Sequence, residues 1–247
     1  MVQKTIAQLF DLTRKTAIVT GGAMGIGYGI VKRFEEAGAN VVVADLVEKA
    51  GYFFVKTDVS AEADVQNLIN KTIEKFGSLD IMVNNAGIFP SRPALDMDLE
   101  FWEKTMAVNL RGVFLGCREA AKVMKRGGSI INIGSIDSIH PSMTGLAAYD
   151  ASKHGVWGFT KNFALEVAPK NIRVNMIAPG GVNTEGVANM MKGADMKQVI
   201  KEFAARVPLG RFGEPDDIAT VALFLAGEAS SYMTGSMIVV DGGVLLK

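Results

Sequence analysis

Two hydrophobic periods alternate along this chain, and that alternation restricts its fold more than any other feature. Short apolar runs with no polar residue at every second position occur at Thr16–Thr20, Asn40–Ala44, Phe53–Val55, Leu79–Val83, Ser129–Ile133, Arg173–Ile177 and Ser236–Val240. A strand without alternation is apolar on both faces, as parallel strands between two helix layers are. The segments between these runs repeat their apolar residues every three to four positions. Ile26, Ile30, Phe34 and Ala37 form one stripe that ends at Gly38, and Ala61 to Phe76 predicts a second helix stopped at Gly77. A helical stretch from about Leu99 to Met124, a long helix from about Tyr149 to Ala168 and a helix starting near Pro215 follow. Strand–helix–strand units joined by right-handed crossovers build an α/β, doubly wound, seven-stranded and mostly parallel sheet flanked by helices on both faces.

No Pro-, Ser- or charge-rich stretch divides the 247 residues, so the pattern predicts a single domain over 1–247, with 1–15 as an N-terminal extension carrying a short amphipathic turn at Ile6, Leu9 and Phe10. Lys+Arg and Asp+Glu are both 26 and no basic block occurs, which argues against nucleic acid or an anionic membrane as partner. No apolar run approaches the ~20 residues of a membrane span. Met1 to Phe10 lacks the charged start and apolar core of a signal peptide. The single cysteine, Cys117, has no internal disulfide partner, and neither of the two histidines has metal-ligand company. The expectation is a cytoplasmic protein without a structural metal.

Ligands in such sheets sit beyond the carboxyl ends of the strands, so the informative loops follow Thr20, Ala44, Val83, Ile133 and Ile177. In the first, Gly21, Gly25 and Gly27 let the backbone turn tightly and approach a pyrophosphate at the positive end of the following helix. The alternative is a plain glycine-rich turn. Asp45 closes the second strand, where a carboxylate accepts both hydroxyls of an adenosine ribose and repels a 2′-phosphate; at ~4–5 Å and an effective dielectric of about 20 that repulsion is a few kcal/mol. Met24 and Leu46 at the nearest positions supply no cation, so the loop reads as NAD-binding. Tyr149-x-x-x-Lys153 puts a phenol and an ammonium on one helix face, where the lysine favours the tyrosinate and tunes a proton donor and acceptor. A surface tyrosine packed on a lysine stem has the same spacing.

Taken together, Thr20-Gly21-x-x-x-Gly25-x-Gly27, Asp58-Val59, Asn84-Asn85-Ala86-Gly87, Asn109, Ser135, Tyr149-x-x-x-Lys153 and Pro179-Gly180 resemble the short-chain dehydrogenase/reductase family along nearly the whole chain. The resemblance implies a Rossmann-type fold and a working site. Met24 and Ile26 would complete the glycine-rich cofactor loop. Asp58 would bond the adenine amino group with the Val59 backbone beside it, Asn85, Ala86 and Gly87 would line the adenosine side, and Asn84 would tie neighbouring strands. Pro179, Gly180, Val182 and Thr184 would border the cofactor, Thr184 and the Val182 backbone meeting its carboxamide. Lys153 would hold the nicotinamide ribose, Tyr149 would be the general acid–base, Ser135 would bond the reacting oxygen, and Asn109 would hold a proton-relaying water. Two departures stand out: Gly134 replaces a second serine common in relatives, and the Ser135-to-Tyr149 spacing of 14 is one longer than the commonest. Both reshape the loop from Ile136 to Met143, which should border the substrate.

The expected activity is NAD-dependent interconversion of a secondary alcohol and a ketone, the substrate being a sugar, polyol or sugar-acid type alcohol or a general ketone. A 3-oxoacyl-thioester reductase is the alternative enzyme, in a branch that tends to prefer the phosphorylated cofactor. A dinucleotide-sensing or scaffold protein is the non-enzymatic one, with no need of a tuned phenol. Asp150 suits a solvated or capping role. His140 either touches a polar substrate or is incidental. The segment 184–212 suits a substrate lid, in which Met190, Met191 and Met196 either line a pocket or simply pack. Small and apolar residues on two faces of the 149–168 helix, with the pairing about a two-fold axis that the resemblance implies, predict a homotetramer of two-fold symmetry, with a dimer as the alternative.

Overall fold

The computed structural model describes residues 3–186 and 204–247. Its sheet contains β1 (Thr16–Thr20), β2 (Asn40–Asp45), β3 (Phe53–Lys56), β4 (Ile81–Asn84), β5 (Gly128–Ile133), β6 (Ile172–Pro179) and β7 (Met237–Val240), in the order β3-β2-β1-β4-β5-β6-β7. All six pairings are parallel, so the sheet is wholly rather than mostly parallel. The order reverses beside β1, which puts the β1 and β4 loops at the switch point where doubly wound sheets bind ligands.

Successive strand residues feed two cores. Ile18, Val42, Met82, Ile130 and Val174 face one layer, formed by α3 (Glu62–Phe76), α5 (Gly112–Val123) and α6 (Ala147–Val167). Ala17, Val19, Val41, Val43, Val83 and Ile131 face the other, formed by α2 (Gly25–Glu36) and α7 (Pro215–Ala226). Both faces are thus buried, which is why these strands lack polar alternation. The N-terminal α1 (Ile6–Phe10) is the expected short turn, closed by a capping box between Thr5 and Gln8.

Two expectations are corrected. The Leu99–Met124 stretch is not one continuous α-helix: α4 (Leu99–Met106) passes through a π-helical segment, Ala107–Arg111, into α5. A π segment keeps the helical course while shifting the ladder by one residue, so apolar spacing does not betray it. The fourth strand begins at Ile81 rather than Leu79; just before it, the Asp80 backbone bonds Thr16 and Ser129 at 2.9 and 3.0 Å while its carboxylate accepts the Thr16 N–H at 3.0 Å and the Ser78 hydroxyl at 3.2 Å. Among the described residues no helix is long and apolar enough to cross a membrane, and no group of metal-ligating side chains occurs. The proposed lid falls largely, and Met190, Met191 and Met196 fall wholly, outside the described residues.

Candidate active site

The β1 loop is held by its own chain. Thr20 Oγ1 accepts the N–H of Asn85 at 3.0 Å and of Ala86 at 3.1 Å, and Asn85 Nδ2 donates to the carbonyls of Thr20 and Gly21 at 2.9 and 3.0 Å. Asn85 and Ala86 therefore brace the loop. Gly21 and Gly27 are required by that closeness: a Cβ on Gly21 would lie 2.9 Å from the Ala86 Cα, and one on Gly27 would run into the Gly21 carbonyl oxygen. Met24 is the exposed residue before α2, and Ile26 lies in its first turn. The Gly25 N–H, at the positive end of α2, is taken at 3.0 Å by the Glu185 carboxylate, with Thr184 packed against Gly25. An anion of the chain's own thus occupies the position that suits a pyrophosphate.

Asp45 sits beside this loop. Its Oδ2 accepts the Ala23 N–H at 3.0 Å, and its Oδ1 the N–H of Leu46 at 2.7 Å and of Val47 at 3.3 Å. Met24, Leu46 and Val47 form an exposed apolar rim around it. Farther out, Lys49 lies 3.7 Å from the Tyr28 ring centroid. Asp58 is turned toward the start of α3, where its Oδ1 accepts from both the backbone and the hydroxyl of Ser60, while Val59 packs against Gly112.

At the other strand ends the fold gathers the second group. Asn84 ties β4 to β5 through Nδ2 to Asn132 Oδ1 at 2.8 Å, and Asn132 continues to Thr160 on α6 at 2.9 Å. Gly87 occupies the gap between Asn109 and Lys153: a Cβ there would stand 3.3 Å from Asn109 Oδ1 and 3.7 Å from Lys153 Nζ. Asn109, in the π segment, spends its side chain on the Ile88 backbone in both directions and on Ser152 Oγ at 3.2 Å. Both its amide hydrogens are used, so a water held by Asn109 must donate to it, through the main-chain carbonyl or the second lone pair of Oδ1. Lys153 is buried and donates to the Ile133 carbonyl at 2.9 Å. Gly180 donates to the Val240 carbonyl at the end of β6, directly after Pro179, and buried Val182 bridges to Gly213.

Tyr149 and Lys153 stand one helical turn apart, with Nζ 5.6 Å from the phenol ring centroid. Phe89 packs edge-to-face on Tyr149 at 4.5 Å between centroids and fixes the ring. Burial pushes the Tyr149 phenol well above its ordinary value; the Ser135 hydroxyl opposes this, and the charges of Asp137 and Asp150 add to it. Burial likewise pushes Lys153 down to about 8, against which Asp137 acts to keep it charged. Ser135 thus bears on Tyr149, and the Asp137 charge acts on both Tyr149 and Lys153, at the end of β5. A Cβ on Gly134 would lie 2.6 Å from the Met176 methyl, so a serine there would require the Met176 thioether to shift.

Several residues of this site escaped the sequence reading. Asp137, 4% exposed, accepts the Ser135 hydroxyl at 2.7 Å on Oδ2 and the Ser142 N–H at 2.8 Å on Oδ1. Its only signal was an acid placed between Ile136 and Ile139 in a strand-end loop. Phe89 and Glu185 gave none. Asp150, in the first turn of α6, makes no side-chain cap bond and is half-buried; its Oδ1 is buried without a hydrogen-bond partner among the described residues, and burial followed by the Asp137 charge raises its pKa.

Comparison with known proteins agrees with this architecture. Residues 21–245 match the profile of a family described as enoyl-(acyl carrier protein) reductase. The chain is 40% identical to the 3-oxoacyl-[acyl-carrier-protein] reductase of Chlamydia pneumoniae, covering 94% of this chain and 98% of the relative. It is 37% identical to the trans-4-hydroxycyclohexanecarboxylate dehydrogenase of Sinomonas cyclohexanicum, over 94% and 93%. Among solved structures, the ligand-free aldohexose dehydrogenase of Thermoplasma acidophilum superposes with a TM-score of 0.90 at 33% identity, covering 96% of each chain. A short-chain type dehydrogenase/reductase of Mycobacterium marinum superposes with a TM-score of 0.91 at 35% identity, covering 98% of this chain and all of the other. With its seven-stranded parallel sheet, this chain belongs to the short-chain dehydrogenase/reductase family and is an oxidoreductase of that family, built for a nicotinamide dinucleotide cofactor.

Proposed function

We propose that this protein interconverts a secondary alcohol and a ketone with NAD, on a substrate of sugar or polyol type. The observation that carries this reading is the meeting of Ser135, Tyr149 and Lys153 at the end of β5, with β4 alone between that strand and the β1 that carries the braced glycine loop.

The residues present fit a dinucleotide. The α2 N-terminus already attracts a carboxylate, which is the behaviour a pyrophosphate site requires. Asp45 presents acceptor oxygens beside an apolar rim, which suits an adenosine ribose without a 2′-phosphate. Asn85, Ala86 and Gly87 would line the adenosine side, Asp58 and Val59 the adenine edge, Lys153 the second ribose, and Pro179, Gly180, Val182 and Thr184 the nicotinamide side. When bound, the cofactor supplies the hydride acceptor or donor.

The chain supplies the proton chemistry. Held in its acid form by burial, the Tyr149 phenol is a donor to a ketone oxygen. To take a proton from an alcohol it needs positive charge nearby, and Lys153 is the cation this helix face provides. Ser135 lies beside the phenol and shares its hydrogen bonding with the reacting oxygen. A water on the Asn109 carbonyl would carry protons onward to Lys153.

A second reading, reduction of a 3-oxoacyl thioester, is favoured by the name of the relative at 40% identity. We further propose a homotetramer. Phe114 of α5 is 38% exposed, its ring stands 6.0 Å from Phe159, and Phe159 stacks on Phe163 at 5.1 Å beside the open face at Gly158. A panel of alcohols, ketones and 3-oxoacyl thioesters, followed by nicotinamide absorbance with NAD(H) and NADP(H), tests the reading. Turnover of secondary alcohols with NAD supports it. Activity confined to thioesters with NADPH selects the second reading, and no turnover of any member returns the chain to a dinucleotide-binding role.

A further inference from the structure

Resting on the alcohol–ketone reading above, we propose that Asp137, assisted by Asp150, determines specificity by charge: the site takes neutral alcohols and turns away those that carry a carboxylate or phosphate close to the reacting carbon. Asp137 Oδ2 lies 2.7 Å from Ser135 Oγ, on the side chain that would meet the reacting oxygen. The carboxylate therefore stands about two hydrogen bonds from the reaction, ~6–8 Å from a group on a neighbouring carbon. Asp137 is buried, so solvent and salt screen it little. Its orientation is fixed from the other side, where Oδ1 accepts the Ser142 N–H at 2.8 Å. Among the described residues it makes no ion pair that would cancel its charge.

Asp150 adds a second acid directly after Tyr149, with its Oδ1 buried and without a hydrogen-bond partner among the described residues. Both charges reach the phenol, where each helps to hold Tyr149 in its acid form. The potential is thus negative where the substrate oxygen binds. The cations near it are already engaged or turned outward. In the loops 88–98 and 136–146 and the start of α6 they are Arg92, His140, Lys153 and His154. Arg92 is held by Asp98 at 2.7 Å, Lys153 is bonded to the Ile133 carbonyl, and His154 Nδ1 lies 3.0 Å from the Asp150 carbonyl. His140 is exposed. A substrate anion would leave water here without gaining a partner for its charge, whereas a hydroxyl would lose little. At ~6–8 Å and an effective dielectric of about 20, one like charge corresponds to roughly 30- to 100-fold in affinity. The Lys153 ammonium offsets part of this, which leaves about tenfold.

The test uses 3-hydroxybutanamide and 3-hydroxybutanoate, which share one shape and differ by one charge. Discrimination is read as the ratio of their kcat/KM values with NAD, or of their inhibition constants against an alcohol that the protein oxidises if the pair itself is not turned over. The wild type should favour the amide by about tenfold or more. Asp137→Asn keeps the side-chain volume and an oxygen for the Ser142 N–H. Any loss it causes through Ser135 falls on both compounds, so the ratio isolates the charge and should drop about tenfold. Asp150→Asn should lower the ratio by a smaller factor, and it decides the matter should Asp137→Asn fail to fold. A wild type that handles the carboxylate as well as the amide, or a folded Asp137→Asn that leaves the ratio unmoved, would overturn the proposal. With Asp150→Asn as the deciding variant, an unmoved ratio does the same. A wild type that turns over no alcohol–ketone pair would overturn the functional reading and this proposal with it. An active wild type with any of the contrary results overturns this proposal alone.

Discussion

Lys153→Met should cost catalysis and yet change the pH dependence of stability in a defined window. Burial lowers the Lys153 pKa from its ordinary 10.5 to about 8 in the folded chain. Below about pH 8 the unfolded and folded states both carry the proton, and the folded state bears the full penalty of a buried cation. Between about 8 and 10.5 the unfolded chain binds more protons, so stability rises with pH, and above 10.5 the penalty is gone. A shift of this size corresponds to about 3 kcal/mol across the window, the ammonium being 5% exposed and little screened. Tyr149 is shifted the opposite way and acts only above about pH 10, where its raised pKa makes stability fall. Met keeps the aliphatic length but loses the bond to the Ile133 carbonyl, at a pH-independent cost of about 1 kcal/mol. Denaturant unfolding of both proteins at pH 7, 8, 9 and 10 should therefore show the wild type gaining on the variant by about 2 kcal/mol from pH 7 to 10. Parallel curves, or a wild type that loses ground as pH rises, would refute the reasoning.

Other consequences are as direct. Asp45→Ala should weaken NAD and improve NADP relative to it by 10-fold or more, read from KM for each cofactor, by removing both acceptor oxygens and a repulsive charge; a parent that already prefers NADP tenfold contradicts this. Glu185→Gln should tighten dinucleotide binding about 2- to 5-fold in a calorimetric titration, since a charged competitor leaves the Gly25 N–H. Unchanged or weaker binding would show that the carboxylate does not compete. Light scattering at micromolar concentration should give about four times the 26.4 kDa of one chain, and a mass near that of a single chain excludes assembly through the Phe114–Phe159–Phe163 face.

What was readable in the sequence follows from how local each signal is. The strand Thr16–Thr20 and the helix starting at Gly25 were legible to the residue, because an apolar run and a glycine-bounded stripe are local properties. The Asn84–Asn132–Thr160 chain was half legible: the tie to a neighbouring strand could be expected, its continuation to α6 could not. The π segment was hidden because it alters hydrogen-bond register while leaving the apolar spacing almost intact. Asp137 and Glu185 were hidden for another reason. One acts through a turn that folds it back on Ser135, the other across 160 positions of sequence onto Gly25, and neither distance is written in a local pattern. For Asp150 the helix position suggested solvent or a cap, and only the structure shows one of its oxygens buried and within reach of the Asp137 charge.

The central claim is that the Tyr149 phenol moves the substrate proton. Tyr149→Phe keeps the ring that packs on Phe89 and leaves Lys153 in place, removing one oxygen. Single-turnover kinetics with a secondary alcohol, beside a cofactor titration on the same preparation, measures the consequence. The account predicts hydride transfer slower by about 10²-fold or more with cofactor affinity within a few-fold of the parent. Near-parental hydride transfer in that variant would contradict it.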